Sequence, residues 1–438
     1  MNTLLAAFYA LSSNFYMLNK HLPIQSIVMI ALLIGVWINL LPGLWRKKLE
    51  RRQLEQLRNG NNLLIIFLLS TSMTGMILFG GYQFNLLTWD LKIFLMNLLY
   101  VFLFEFVLFW NGIIRIYLYS KQIGIKWKVI GILCGMIPIV HLIILIKMIK
   151  VVKKEVDFEN HKLLCNKQRQ QEKICKTKYP ILFVHGVFFR DSNFFNYWGR
   201  IPEELEKNGA TVFYGNQESA ASISKCGEEL AMRIKEILKE TNFEKVNIIA
   251  HSKGGLDSRY ALSKCGMDQY VASLTTINTP HRGCEFADFL LEKINEKLME
   301  KIAEKYNSTL IRFGDRMPNF KEAVYDLTSK RAKEFNENIK DVENVYYQST
   351  GSKLNKLTGG RFPLNLTTTF VKYFDGSNDG LVGYRSFEWG ENYIYLTVDG
   401  KRGISHGDMI DLNRENIEGF DVREFYVQLV RDLKDKGF

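Results

Sequence analysis

The stretch VNIIAHSKGG, Val246 to Gly255, decides the fold. Val246–Ala250 is a short apolar run of the kind that forms a strand buried on both faces. It leads without a linker into Ala250-His251-Ser252-Lys253-Gly254-Gly255. A strand that turns abruptly into a helix at such a place leaves the serine on a strained, exposed corner. Small residues are needed two before and two after it, because strand and helix backbones approach closely there. Ala250 and Gly254 meet that need, so the pattern is A-x-S-x-G with Gly255 added. A serine in an ordinary tight turn is the plain alternative. The strand–turn–helix context favours Ser252 as a nucleophile.

Outward from this corner, strands and helices alternate, as in a parallel sheet covered on both faces. Ile181–Val184 (ILFV) reads as a strand ending in His185-Gly186, Pro202–Asn208 as a helix and Thr211–Tyr214 as a strand. Gly227–Glu240 carries apolar residues at helical spacing. The fold class is α/β.

A serine nucleophile requires a base, and the base an orienting carboxylate, delivered in this architecture in the chain order Ser, acid, His. Of seven histidines, His21, His141 and His161 lie in or beside the apolar N-terminal part, and His185, His251 and His281 precede the expected acid. His406, in GISHGD after an expected strand Tyr393–Val398, is the base by elimination. Asp375 and Asp379 both lie in YFDGSNDGLVG, after an expected strand around Thr369–Tyr373. Asp375 is also a natural turn-former before Gly376. Two N–H donors for a developing oxyanion are expected from the backbones of Lys253 and Val187. The Lys253 side chain has no expected role.

At this point the chain resembles the bacterial triacylglycerol lipases of the α/β-hydrolase superfamily. The residues that carry the likeness are VHGVFFRD, the stretch Tyr197–Ile223, AHSKGGLDSRYAL, LTTINTPHRG, DLTSKRAKEFNENI, NDGLVG and SHGD. The likeness runs from about Tyr179 to the C-terminus, and the chain is similar to a clostridial-type esterase/lipase that carries an N-terminal membrane segment. It implies Ser252, Asp379 and His406 as a triad, with Val187 and Lys253 as oxyanion donors. It further implies that the insertion Glu285–Asn338 holds a lid over an acyl pocket. EFADFLLEKINEKLMEKIAEKY within it is amphipathic in its own right, as a mobile cover or a peripheral helix would be. No cofactor is required. Many such lipases bind a structural calcium through a carboxylate two residues after the histidine, where Asp408 stands. The second carboxylate that some place about twenty residues before the acid is missing near Leu357.

The N-terminal part has a different texture. Before Glu155 stand 16 basic and four acidic residues, leaving 41 basic and 42 acidic in the rest, so the net charge of +11 belongs to the N-terminal part. This argues against a nucleic-acid partner, which would require the excess on the folded domain. Four stretches are long and apolar enough to cross a bilayer: Ile24–Leu41, Leu63–Gly81, Ile93–Tyr119 and Val129–Ile146. Thr3–Leu18 is an interfacial or fifth spanning helix. No cleavable signal peptide is evident. Residues 1–150 are thus expected to be a multi-pass cell-membrane segment, 151–178 a lysine-rich juxtamembrane linker, and 179–438 the catalytic domain.

Orientation follows the basic loops. With four spans, Arg46 to Arg58 and Lys121 to Lys128 place the catalytic domain outside the cell. Lys147, Lys150, Lys153 and Lys154 after the last span would also prefer the cytoplasm, and a fourth stretch that re-enters at Pro138 rather than crossing reconciles all three clusters. Glu105 and His141 are costly in lipid and are candidate functional groups, or polar contacts between helices. Six scattered cysteines read as ordinary thiols, Cys165 and Cys175 being able to pair only on export. The expected partners are the membrane lipid bilayer and a lipid ester substrate. The expected function is hydrolysis of lipid carboxylic esters. Acyl transfer or phospholipase action on the same scaffold is the alternative. A non-catalytic membrane scaffold would more often have lost a triad member, and a transporter would carry paired charges and broken repeats.

Overall fold

The computed structural model describes residues 1–18, 35, 37–39, 42, 47–84, 90–135, 137–187, 196–312, 315–356, 359–360 and 364–438. The chain divides into two compact units, Met1–Lys167 and Gln168–Phe438.

The first unit is helical: α1 (Asn2–Ser13), α2 (Phe15–Leu18), α3 (Arg52–Gln83), α4 (Leu91–Tyr119), α5 (Gly124–Leu133) and α6 (Pro138–Arg169). At 32 and 29 residues, α3 and α4 are long and apolar enough to cross a bilayer. They contain the expected stretches Leu63–Gly81 and Ile93–Tyr119. Ile24–Leu41 lies largely outside the described residues. Val129–Ile146 is divided between two helices, with a turn at Cys134-Gly135 and Pro138 opening the second. Proline lacks an N–H and fits the first turn of a helix, not its interior. Helix α6 continues through much of the expected linker to Arg169.

α3 and α4 meet at Gly60 and Gly112, where a Cβ on Gly60 would stand 2.7 Å from Arg115 Cβ and one on Gly112 2.8 Å from Leu64. Small residues are what bring apolar helices this close. Polar groups turn inward: Asn14 Nδ2 donates to Thr74 Oγ1 (2.9 Å), Asn97 Nδ2 to Asn14 Oδ1 (3.1 Å), and Ser70 Oγ to Glu105 (2.6 Å). Met76, Phe79, Phe102, Phe106 and Trp110 are exposed.

The second unit opens with β1 (Ile181–Val184), α7 (Ile201–Lys207), β2 (Val212–Tyr214), α8 (Ile223–Thr241), β3 (Val246–His251), α9 (Lys253–Lys264) and β4 (Val271–Ile277). An insertion follows, α10 (Glu285–Lys293), α11 (Glu296–Arg312), α12 (Phe320–Tyr325) and α13 (Ser329–Asn338). The chain then forms β5 (Tyr346–Ser352), α14 (Leu364–Asp375), β6 (Asn392–Leu396) and α15 (Val422–Asp435). The six strands pair in parallel in the order β2-β1-β3-β4-β5-β6. Strand alternation feeds two cores. Ile181, Phe183 and Ile249 pack with Trp198, Leu205 and Tyr426 on one face, and Leu182, Val184 and Ile248 with Leu230, Ile234 and Leu262 on the other. Cys175 belongs to the first core, so this unit begins before Tyr179. All six cysteines are free.

One element differs in kind from expectation. Thr369–Tyr373 is not a strand but part of helix α14. Its β-branched and aromatic residues suggest a strand, yet the buried positions Thr368 and Val371 and the half-buried Phe374 are three apart, a helical stripe. Phe370 and Phe374 pack against Phe286 and Phe289 of α10. Burial along that stripe outweighs intrinsic preference.

Candidate active site

In an open parallel sheet the crevice beyond the carboxyl ends of the strands collects functional groups. Here β1 ends at His185-Gly186, β3 at Ser252, β4 at Asn278, and the loops that follow β5 and β6 carry Asp379 and His406.

Ser252 has φ +54° and ψ −130°, a left-handed conformation costing a residue with a Cβ about 1–3 kcal/mol. The surroundings hold it there. Ser252 N donates to Ile277 O (2.9 Å), and its carbonyl accepts from Gly255 N (3.1 Å) and Thr279 Oγ1 (2.8 Å). A Cβ on Gly254 would press into His185 O and lie 2.9 Å from Val184 O, and one on Gly186 would lie 2.8 Å from Ser252 Cβ. These two glycines are therefore requirements of the corner. Lys253 opens α9, and its side chain does have a role, as a fully buried ion pair with Asp257 (Nζ to Oδ1, 2.7 Å) beside Cys226 Sγ (3.4 Å). Burial alone would lower its pKa, but Asp257 outweighs it and holds the ammonium above its ordinary range.

Asp379 and His406 are joined twice. Nδ1 meets Asp379 Oδ2 at 2.7 Å, and His406 N donates to Asp379 O at 2.9 Å. The carboxylate is fully buried and saturated: Oδ2 also accepts from Asn278 Nδ2 (2.6 Å), and Oδ1 from Leu381 N and Val382 N (2.9 Å each). Asp375 points elsewhere and caps α10, accepting from Glu285 N (3.0 Å) and Phe286 N (3.2 Å). The His406 ring lies 4.4 Å from that of His251, the neighbour of Ser252.

Three contributors escaped the sequence reading. Tyr197 Oη accepts from Gly186 N (2.9 Å) and hydrogen-bonds His251 Nδ1 (2.7 Å), tying the loop before Val187 to the serine corner. Burial, and then the neighbouring His406, hold the His251 pKa well below the imidazole range, so this ring is neutral. Asn278 aims the acid. Tyr197 and His251 carry no local signal, since their value comes from folding; Asn278 is signalled only by its place directly after a strand. His281 is a buried brace, bonded to Thr276 Oγ1 (2.9 Å) and stacked on Trp389. Val187 is half-buried against Ala220, Leu310 and Ala323. A cavity of about 500 Å³ lies within the insertion, lined by residues that include Leu291, Ile294, Met299 and Tyr325, not by the Ser252 corner.

The calcium that the resemblance raises at Asp408 does not fit the residues present. Oδ1 accepts from Arg402 Nη2 and Oδ2 from Arg402 Nη1 (2.9 Å each), while Ser405 N and Oγ donate to Oδ2 (2.7 Å each). A guanidinium already occupies the direction from which a cation would bind. No cluster of three or more metal-binding side chains occurs among the described residues. In the helical unit, Glu105 is buried against Ser70, and His141 packs edge-on to Phe109.

The all-parallel sheet, the serine at a strand-to-helix corner and the Asp–His pair beyond later strands define an α/β-hydrolase. Residues 181–351 match the family described as "Putative serine esterase (DUF676)". The chain is 44% identical over 119 residues to a triacylglycerol lipase of Pseudarthrobacter phenanthrenivorans, covering 26% of this chain and 37% of that one. It thus spans about a third of the length of that relative. It is 28% identical over 293 residues to a triacylglycerol lipase of Pseudomonas fragi, covering 60% of this chain and 98% of that one. The Staphylococcus hyicus lipase structure aligns with a TM-score of 0.48 at 19% identity, over 60% of this chain and 97% of that one. The matched part of the chain is thus similar to serine esterases and triacylglycerol lipases, and its fold is that of the α/β-hydrolases.

Proposed function

We propose that this protein is a membrane-anchored serine hydrolase that cleaves carboxylic esters of lipids. The observation that carries the reading is the buried, saturated Asp379–His406 pair beside the strained Ser252 corner. With Nδ1 engaged by Asp379, Nε2 is the nitrogen left to serve Ser252. Ser252 Oγ attacks the ester carbonyl as His406 takes its proton, and the N–H groups of Val187 and Lys253 receive the oxyanion. His406 returns the proton to the departing alcohol, and water then hydrolyses the acyl-enzyme. The names of the relatives, triacylglycerol lipases, favour lipid esters.

Membrane anchoring is supported by the pattern of the helical unit, whose polar side chains face inward while large apolar ones face out. That is the reverse of a bundle bathed in water. Helix α3, at 1.5 Å per residue, is about 48 Å long, against a hydrocarbon core of about 30 Å. The basic loops before α3 and between α4 and α5 favour the cytoplasm. With the stretch after them crossing as a further span, they put the hydrolase domain outside; re-entry at the break before Pro138 would instead leave it on the cytoplasmic side. Helices α10 to α13 form its lid.

The test is labelling of detergent-purified protein with a fluorophosphonate probe, alongside hydrolysis of short- and long-chain triacylglycerols. Wild type is expected to label and turn over, and Ser252→Ala to do neither. Equal labelling of the two would refute the assignment of Ser252.

A further inference from the structure

The loop carrying His406 is pinned at two points by guanidinium–carboxylate forks. Arg402 grips both oxygens of Asp408 and reaches Glu415 with Nη2. Five residues beyond His406, Arg200 Nε and Nη2 grip Asp411 Oδ2 and Oδ1 at 2.8 Å, and Arg200 N adds a third bond. Between the forks the path to the imidazole is short. Asp408 holds Ser405 by backbone and hydroxyl, and Ser405 precedes His406, whose own N–H is fixed on Asp379.

Asp408 is 5% exposed. A carboxylate so buried requires a positive partner or many donors. Calcium would be one solution, but it takes six to eight oxygens and carries two positive charges. Placed beside the Arg402 guanidinium it would meet repulsion, and it would find both Asp408 oxygens already taken. A planar guanidinium meets a carboxylate through two parallel bonds and so fixes orientation as well as charge.

We infer that Arg402 does within the chain what a structural divalent cation would otherwise do. It neutralises Asp408 and, through Asp408 and Ser405, sets the position of His406, so that the hydrolase unit is independent of calcium. Arg402 is a positioning residue, and its effect on turnover rests on the reading of His406 as the base.

The full-length protein in detergent is assayed for ester turnover, thermal melting and calcium binding by titration calorimetry, in EDTA and in calcium chloride. Wild type is expected to bind no calcium and to keep its melting midpoint and kcat in EDTA. A 1 Å misplacement of a reacting group costs about 100-fold. Arg402→Ala is therefore expected to lower kcat roughly 10- to 100-fold with KM little changed, and Arg402→Lys to recover part of the loss. A wild-type midpoint lowered by EDTA and restored by calcium would overturn the inference. So would a folded Arg402→Ala enzyme with wild-type kcat. If Arg402→Ala does not fold, Arg402→Gln is set against Arg402→Lys: the lysine variant is expected to be faster, and equal rates refute the charge argument. Should wild type neither label nor hydrolyse esters, the catalytic reading falls by itself, and Arg402 is judged on calorimetry and melting alone.

Discussion

Asp379→Asn tests the site most sharply, because the structure separates its effect on stability from its effect on turnover. The carboxylate receives four donors: two backbone N–H groups on Oδ1, and Asn278 Nδ2 with His406 Nδ1 on Oδ2. An asparagine that keeps its oxygen on the backbone pair turns its NH2 toward Asn278 and His406. Asn278 can adapt by flipping, since its own Oδ1 is buried without a partner and Ser352 Oγ beside it can donate as well as accept. His406 can adapt only by accepting a hydrogen bond from the amide N–H on Nδ1 and carrying its own proton on Nε2, the nitrogen that in the proposed mechanism receives the serine proton. Loss of the charge-assisted bonds is expected to cost about 2–3 kcal/mol of stability. The wrong tautomer is expected to cost roughly 10⁴ in kcat, the loss seen for this change in a serine-protease triad, or about 5.4 kcal/mol of barrier. Turnover of a chromogenic ester and urea unfolding of the same preparation read the two effects. A folded Asp379→Asn protein within about tenfold of wild-type kcat would refute the reasoning, as would an Asp375→Asn variant that lost as much.

Tyr197→Phe removes the group shared by Gly186 N and His251 Nδ1, leaving two buried polar groups unsatisfied. A loss of about 2–4 kcal/mol in denaturant unfolding is expected, with a fall in kcat as the loop bearing Val187 loosens. Acid should destabilise the hydrolase unit through His251 and His281. Burial first, and then His406 beside His251 and Arg259 and Arg282 beside His281, hold both pKa values well below the ordinary imidazole value. Below about pH 6.5 the unfolded rings bind protons that the native ones do not, so stability falls as pH falls. The slope is about 1.4 kcal/mol per pH unit for each ring. Replacing His281 with Gln is expected to remove one ring's share of that slope in urea melts at pH 5 to 7, and an unchanged slope would refute the assignment.

The serine corner was legible because its constraint is local. A buried strand running directly into Ala-His-Ser-Lys-Gly-Gly leaves few conformations for Ser252, and the backbone contacts of Gly254 explain why. The alternation of strands and helices was legible from periodicity. At Thr369–Tyr373 that reading failed, because β-branched residues advertise a strand while the stripe through Thr368, Val371 and Phe374 is satisfied only by a helix against α10. Val129–Ile146 is divided at the proline where the sequence allows a re-entry. Composition makes the stretch apolar throughout, but the geometry of Pro138 divides it.

By itself the sequence determined the α/β class, the strand-to-helix corner at Ser252, His406 as the one histidine beyond Asp379, and the long apolar character of α3 and α4. Each rests on residue type and short-range spacing. The tertiary structure put Asp379 against His406, as the resemblance implied, and it alone decided that Asn278 and Tyr197 brace that pair and that Arg402 stands on Asp408, the position at which similar lipases can hold calcium. Asn278 and Asp379 are 101 residues apart in the chain and 2.6 Å apart in space. No local pattern encodes such a meeting, because it follows from the packing of neighbouring strands into one sheet.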